Sequence, residues 1–322
     1  MFEKYLPKKF CKEYVEVRQS SRQLVMFMAV VLGIKPAMDD WVRKENYEAF
    51  KKICRRYGVL VKPDAAFFDL DASALKESVG GGTLTTTVAK GIPFELAKGS
   101  DLVHVFLAKN KDNLERAFGN GWYPLVIKNR VMQKPFIDLQ KFGYDLGYPD
   151  CCVKFFRHFN DWYKFSHLYE IFKNTKGRPS YLCNCLTKDV VYSYIYHMPC
   201  SFNCRQTIKL ADSLREAIKK EEPEFVAEID KHTKLPFLVF NEIIMYAFEG
   251  EIKNDRLFYG KTYFVARGSG QENYYQSILD KGNCLFLEDK EVIVLKNKKL
   301  VGKIKVPKTA FAPQIPFLIQ FV

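Results

Sequence analysis

The chain has 322 residues, of which 48% are hydrophobic, 15% aromatic and 27% charged; that is a folding composition with material for about two cores, and it excludes a disordered or fibrous polypeptide. A formal charge of +13 favours anionic partners, but the basic residues are dispersed, so a solvated basic surface is the equal alternative to a nucleic-acid face. Nine cysteines, an odd number, speak against a disulfide scaffold and for metal or thiol chemistry in a reducing compartment.

The opening stretch, MFEKYLPKKFCKEY, is charged and lacks the apolar centre of a signal peptide, while LVMFMAVVLGI is too short to span a bilayer. The sequence therefore reads as a cytoplasmic protein with no membrane segment. SRQLVMFMAVVLGIKP and DDWVRKENYEAFKKICRRYGVLVKPD read as two helices, the second opened by an Asp cap and closed by Gly58. In that second helix Tyr47, Phe50 and Cys54 share one face, so Cys54 reads as core, and Cys11 is assigned the same way. Short basic clusters occur at Lys51, Lys52, Arg55 and Arg56 and again at Lys296, Lys298 and Lys299.

The glycine triplet in KESVGGGTLTTTVAKGIP lacks the Gly-Lys-Ser/Thr ending and following helix of a phosphate loop, and a turn before a strand is the plainer reading. DLVHVFLAK then predicts a strand with His104 as a core or sheet histidine, and NKDNLERAFGN a short helix ending near Gly119. From about Phe136 to Ile218 the pattern is helical and holds six of the nine cysteines. Beyond Pro236, β-branched pieces separated by turn residues predict a strand-rich end. The expected class is α+β: a helical region over 1–65, a cysteine-rich α/β to helical core over 66–230 and a strand-rich domain over 231–322.

Within GYPDCCVKFFRHFNDWYKF, Gly147 ends one helix while Pro149 and Asp150 open the next, which places Cys151 and Cys152 in a first turn. Cys152, Phe155, Phe156, Phe159, Trp162 and Tyr163 trace an apolar stripe, and Cys151 falls on the polar side with Lys154 and His158. His158 and His167 read as surface or packing residues. In HMPCSFNCRQT, Pro199 predicts a second helix start, with Cys200, Cys204, Thr207, Ala211, Leu214 and Ile218 on one buried face. Arg205, Lys209, Asp212, Glu216 and Lys219 mark its solvent side. Inward thiols at two helix N-termini, where free amides and the helix dipole stabilise thiolate, are the signal of a shared site. Cys183 and Cys185 in YLCNCL point to one side if extended and are additional ligands; His197, three residues before Cys200, is another candidate.

At LGYPDCCVKFF and HMPCSFNCRQT the chain resembles the prokaryotic family catalogued as domain of unknown function 483, over roughly residues 100 to 265. The resemblance singles out Gly147, Tyr148, Pro149, Cys151, Cys152, His197, Pro199, Cys200 and Cys204, and implies a grouping without an activity.

Thiolate-rich ligation suits zinc or an iron–sulfur cluster. The leading expectation is an iron–sulfur enzyme with a four-iron cluster held by Cys152, Cys200 and Cys204. Cys151, Cys183 or Cys185 would be further ligands, and the open iron, beside His197 and Arg205, would meet an anionic or sulfur-bearing substrate. The alternatives are a zinc-stabilised RNA- or tRNA-binding protein and a thiol redox protein using Cys151 and Cys152 or Cys183 and Cys185.

Overall fold

The computed structural model describes residues 5–67, 91–121, 126–127, 130–131, 138–159, 164–188, 192–242, 244–265, 272–305 and 315–322. The glycine triplet at 80–82, and Trp162 and Tyr163 of the predicted stripe, lie outside the described residues. The chain divides into two compact units, one of Leu6–Arg157 and one built mainly from His158–Val322. Helices and sheets are both present, as the α+β class requires.

The first unit runs α1 (Lys12–Arg18), α2 (Leu24–Val31), β1 (Ala37–Arg43), α3 (Tyr47–Arg56), β2 (Leu60–Phe67), β3 (Gly91–Pro93), β4 (Leu102–Ala108), α4 (Lys111–Asn120), β5 (Val126–Ile127), β6 (Arg130–Val131), α5 (Leu139–Asp145) and α6 (Asp150–His158). Four strands form an antiparallel sheet in the order β1-β4-β2-β3. Helix α2 is buried from Leu24 to Val30, which is why its sequence is apolar all round rather than striped. Asn110 and Asp138 cap α4 and α5 by accepting from the amides of Asn113 and Lys141.

Asp39 and Asp40 correct the helix expected from DDWVRKENYEAF. Both lie in β1, and the helix begins only at Tyr47. The buried Asp40 carboxylate explains the difference, because it accepts from Arg18 Nε at 2.6 Å, pairs with Arg18 Nη2 at 2.6 Å and accepts from the Tyr14 hydroxyl. Partners more than twenty residues away thus hold an aspartate inside a strand where a local pattern suggests a cap. The N-terminal region is accordingly mixed rather than helical.

The second unit contains α7 (His167–Lys173), α8 (Arg205–Glu221), α9 (Pro223–Thr233), β7 (Pro236–Val239), β8 (Met245–Lys253), β9 (Arg256–Phe264), α10 (Glu272–Leu279), β10 (Cys284–Glu288), β11 (Glu291–Lys296), β12 (Lys299–Lys305) and β13 (Phe317–Gln320). Its sheet is antiparallel throughout, in the order β12-β11-β10-β9-β8-β7-β13, so the strand-rich end appears as expected. Tyr275, Ile278 and Leu279 of α10 join a core with Leu238, Tyr246, Phe248, Leu257, Leu285, Val292, Val294 and Ile304 on one face of that sheet. On α8 the predicted buried face holds: Thr207, Ala211, Leu214 and Ile218 are inside, and Arg205, Lys209, Asp212, Glu216 and Lys219 are exposed. Among the described residues no helix is long and apolar enough to cross a membrane.

Candidate metal centre

The first thiol pair is placed by a turn that glycine makes available. Gly147 has φ +74, a left-handed conformation that follows α5, and its amide donates to Tyr144 O at 2.9 Å while the Tyr148 amide donates to Gly143 O at 2.9 Å. A Cβ at Gly147 would stand 2.6 Å from Pro36 Cδ, so the close approach also requires glycine. Tyr148 then receives Lys35 Nζ over its ring at 4.2 Å. Pro149 accepts from the amides of Cys152 and Val153 at 2.9 and 3.0 Å, which starts α6. Cys151 and Cys152 therefore sit in the first turn as predicted, Cys152 buried and Cys151 partly exposed. Their sulfurs are 3.9 Å apart, which corrects the expectation that the two thiols face different ways. Adjacent helical residues diverge by about 100° at Cα, and χ1 rotation of two short side chains is enough to close that gap.

The second pair is held by a loop, and here the expected helix start is corrected. Helix α8 begins at Arg205 with Cys204 as its N-cap, so Cys200 precedes the helix instead of lying in its first turn. The loop is tied to the chain ahead of it. Asn174 Nδ2 donates to Cys200 O at 2.7 Å, the Phe202 amide donates to Thr175 Oγ1 at 2.9 Å, and Phe202 O accepts from Ser180 N at 2.7 Å. Phe202 is fully buried against Phe321, ring centroids 5.2 Å apart. These ties compete successfully with helical hydrogen bonding for residues 200–203, and Pro199 marks the loop rather than a first helical turn.

The sulfurs of Cys151, Cys152, Cys200 and Cys204 all lie within 4.8 Å of one another. Four sulfurs on one tetrahedral ion with bonds of about 2.3 Å stand about 3.8 Å apart. In a four-iron cluster each thiolate binds a different iron, and the sulfurs stand outside the corners of a cube, farther from one another. The ceiling of 4.8 Å therefore suits a single ion. The fourth sulfur belongs to Cys151.

Cys183 and Cys185 are not members of this group. Tyr181–Cys183 form a short 3-10 turn rather than an extended piece, and the buried Cys183 thiol donates to Cys204 O at 3.7 Å. Burial pushes the Cys183 thiol well up, with Cys204 nearby adding to the effect, so it stays protonated and acts as a donor behind the site. The same Cys204 carbonyl accepts from Ile208 N at 2.9 Å. His197 is buried, with Nε2 3.0 Å from Thr207 Oγ1 on the inner face of α8. Arg205 is exposed at the first position of α8, next in chain to Cys204.

Sequence reasoning missed the residues that hold the thiols. Asn174, Thr175 and Ser180 fix the Cys200 loop through backbone atoms, and Lys35 and Pro36 cover the Gly147-Tyr148 turn. Nothing in local spacing marks them. His167 is buried at the start of α7 and held below its usual pKa by burial, so it is a packing residue; His158 is exposed. Cys11 and Cys54 are buried, as expected of core thiols.

Fold and site together define an α+β protein with a four-cysteine group able to bind a metal. No family model, no curated protein and no solved structure matches the chain.

Proposed function

We propose that the protein is a metal–thiolate protein in which Cys151, Cys152, Cys200 and Cys204 hold one zinc ion in a closed, structural site. The observation that carries this reading is the mutual approach of four sulfurs within 4.8 Å, a ceiling that accommodates the about 3.8 Å between four ligands of one tetrahedral ion. The chemistry of the zinc is to fix two pieces of chain by four bonds, and the protein's own residues prepare those bonds. Gly147 and Pro149 start α6 at the right turn, Asn174 and Thr175 hold the Cys200 loop, and protonated Cys183 fixes the Cys204 carbonyl. Cys151 and Cys152 in the first turn of α6 and Cys204 at the N-cap of α8 sit at the positive ends of two helix dipoles, which favours their thiolate form.

A second reading, an iron–sulfur enzyme acting on an anionic or sulfur-bearing substrate, draws support from the partial exposure of Cys151 and Cys200 and from exposed Arg205 beside Cys204. In that case a four-iron cluster uses the same residues, and Arg205 receives the anion. Thiol redox chemistry at Cys183 and Cys185 is disfavoured by the burial that keeps Cys183 protonated.

Metal and acid-labile sulfide analysis of anaerobically purified protein distinguishes these readings. Zinc at about one per chain without sulfide supports the closed site; iron with matching sulfide supports the cluster. Single serine variants of the four cysteines each lose the metal, and Cys183→Ser and Cys185→Ser keep it. Retention of full metal by the four single variants would refute shared ligation.

A further inference from the structure

In the seven-stranded sheet of the second unit, β9 to β12 pack one face with α10 and carry exposed aromatic and basic side chains in register on the other. Alternation along the strands sends Leu257, Leu285, Val292, Val294 and Ile304 into the core with α10. Their neighbours point the other way. Arg256 pairs across to Phe286, Phe286 to Ile293 and Ile293 to Lys303, making one cross-strand row. The next row runs Phe258, Cys284, Leu295 and Leu300. Ile293 and Cys284 at the centre of these rows are buried, whereas Phe258 is 44% exposed and Leu300 57%, and Arg256, Lys303 and Lys305 are exposed. The Arg256 guanidinium already stacks on Phe286, 4.8 Å from the ring centroid.

We propose that this face of β9, β10, β11 and β12 binds short single-stranded RNA, with Phe258 and Phe286 stacking bases and Arg256, Lys303 and Lys305 meeting phosphates. Charge complementarity favours this occupant: by strand register Lys253, Arg256, Lys303 and Lys305 lie on this face against Glu251, Glu288 and Glu291, in a chain of net charge +13. Glu291 lies 3.8 Å from Lys303 and 3.7 Å from Lys305, yet these exposed pairs are weak and screened, and phosphate can displace the carboxylate. Four strands about 4.8 Å apart give the rows a breadth of about 14 Å, enough for two or three nucleotides. Single strands are the form of RNA whose unstacked bases can lie on aromatic rings, which a paired helix withholds. This inference is independent of the metal centre, because its residues all lie on one sheet.

The test is fluorescence anisotropy of the full-length protein with a fluorescein-labelled single-stranded RNA of about twelve nucleotides and with the corresponding duplex, over a salt series. The single strand binds more tightly than the duplex. Phe258→Ala lowers affinity about tenfold with no change in salt dependence, and Phe258→Tyr retains it. Lys303→Ala lowers the slope of log affinity against log salt by about 0.7. Circular dichroism confirms that each variant is folded. Absence of saturable binding at low salt overturns the proposal, as do equal affinities of wild type and Phe258→Ala. A dimer by sedimentation that Phe258→Ala dissociates assigns the face to a second copy and also overturns it.

Discussion

Replacing Gly147 with alanine tests how the turn sets the first thiol pair. Two costs can be worked from the structure. At φ +74 an L-residue with a Cβ pays about 1–2 kcal/mol for the left-handed conformation. The new Cβ would also stand 2.6 Å from Pro36 Cδ, and relieving such an overlap costs about 1–3 kcal/mol. The expected loss is therefore about 2–5 kcal/mol. In a Pro36→Ala background the ring carbon is gone, and the next atom of residue 36, its backbone nitrogen, is 3.9 Å away. Only the conformational cost then remains, so the double-mutant cycle shows a coupling of about 1–3 kcal/mol. Urea denaturation of the four proteins measures it. A Gly147→Ala protein within about 0.5 kcal/mol of wild type, or a coupling near zero, refutes the steric account of this turn.

Arg18→Ala leaves the fully buried Asp40 carboxylate with Tyr14 but without its guanidinium, and about 3–5 kcal/mol of stability is lost by urea denaturation. His104 is buried between Asp39 and Asp64, at 3.1 and 3.3 Å; burial alone lowers its pKa, but the two hydrogen bonds outweigh that and raise it. Its contribution is therefore full below the unfolded value near 6.5 and is lost as pH rises through the folded value, a dependence that His104→Gln removes in denaturation midpoints taken from pH 5.5 to 8.5. Lys35 behaves oppositely. Burial lowers it to about 7 against an opposing pull from Asp39, so the unfolded chain binds the extra proton between about 7 and 10.5, and stability from this residue rises with pH across that window. Lys35→Met removes that rise, and the difference between the two proteins' pH profiles measures it.

The C-terminal strands were legible because short β-branched pieces between turn residues report a sheet directly, and α8 was legible because a regular buried stripe from Thr207 to Ile218 needs no distant partner. What sequence could not show was decided by partners far along the chain. The strand at Asp39 and Asp40 depends on Arg18 and Tyr14 reaching Asp40, and the delayed start of α8 depends on Asn174, Thr175 and Ser180 holding residues 200–202. Three of the four clustered thiols, Cys152, Cys200 and Cys204, follow from apolar periodicity even though α8 begins only after Cys204, later than that periodicity implies. Cys151 was legible only as one of several further ligands, because a helical wheel assigns it a polar side and ignores the freedom of a short side chain in a first turn. Cys183 shows the converse: a buried cysteine beside the group serves as a hydrogen-bond donor to Cys204 and not as a member.

X-ray absorption at the metal edge of the native protein examines the sulfur cage itself. Four sulfur neighbours at about 2.3 Å around zinc, with no second metal in the next shell, is the outcome the proposed closed site predicts. An iron edge with a neighbouring iron, or a coordination sphere dominated by nitrogen and oxygen, would show that the four cysteines do not close on a single ion.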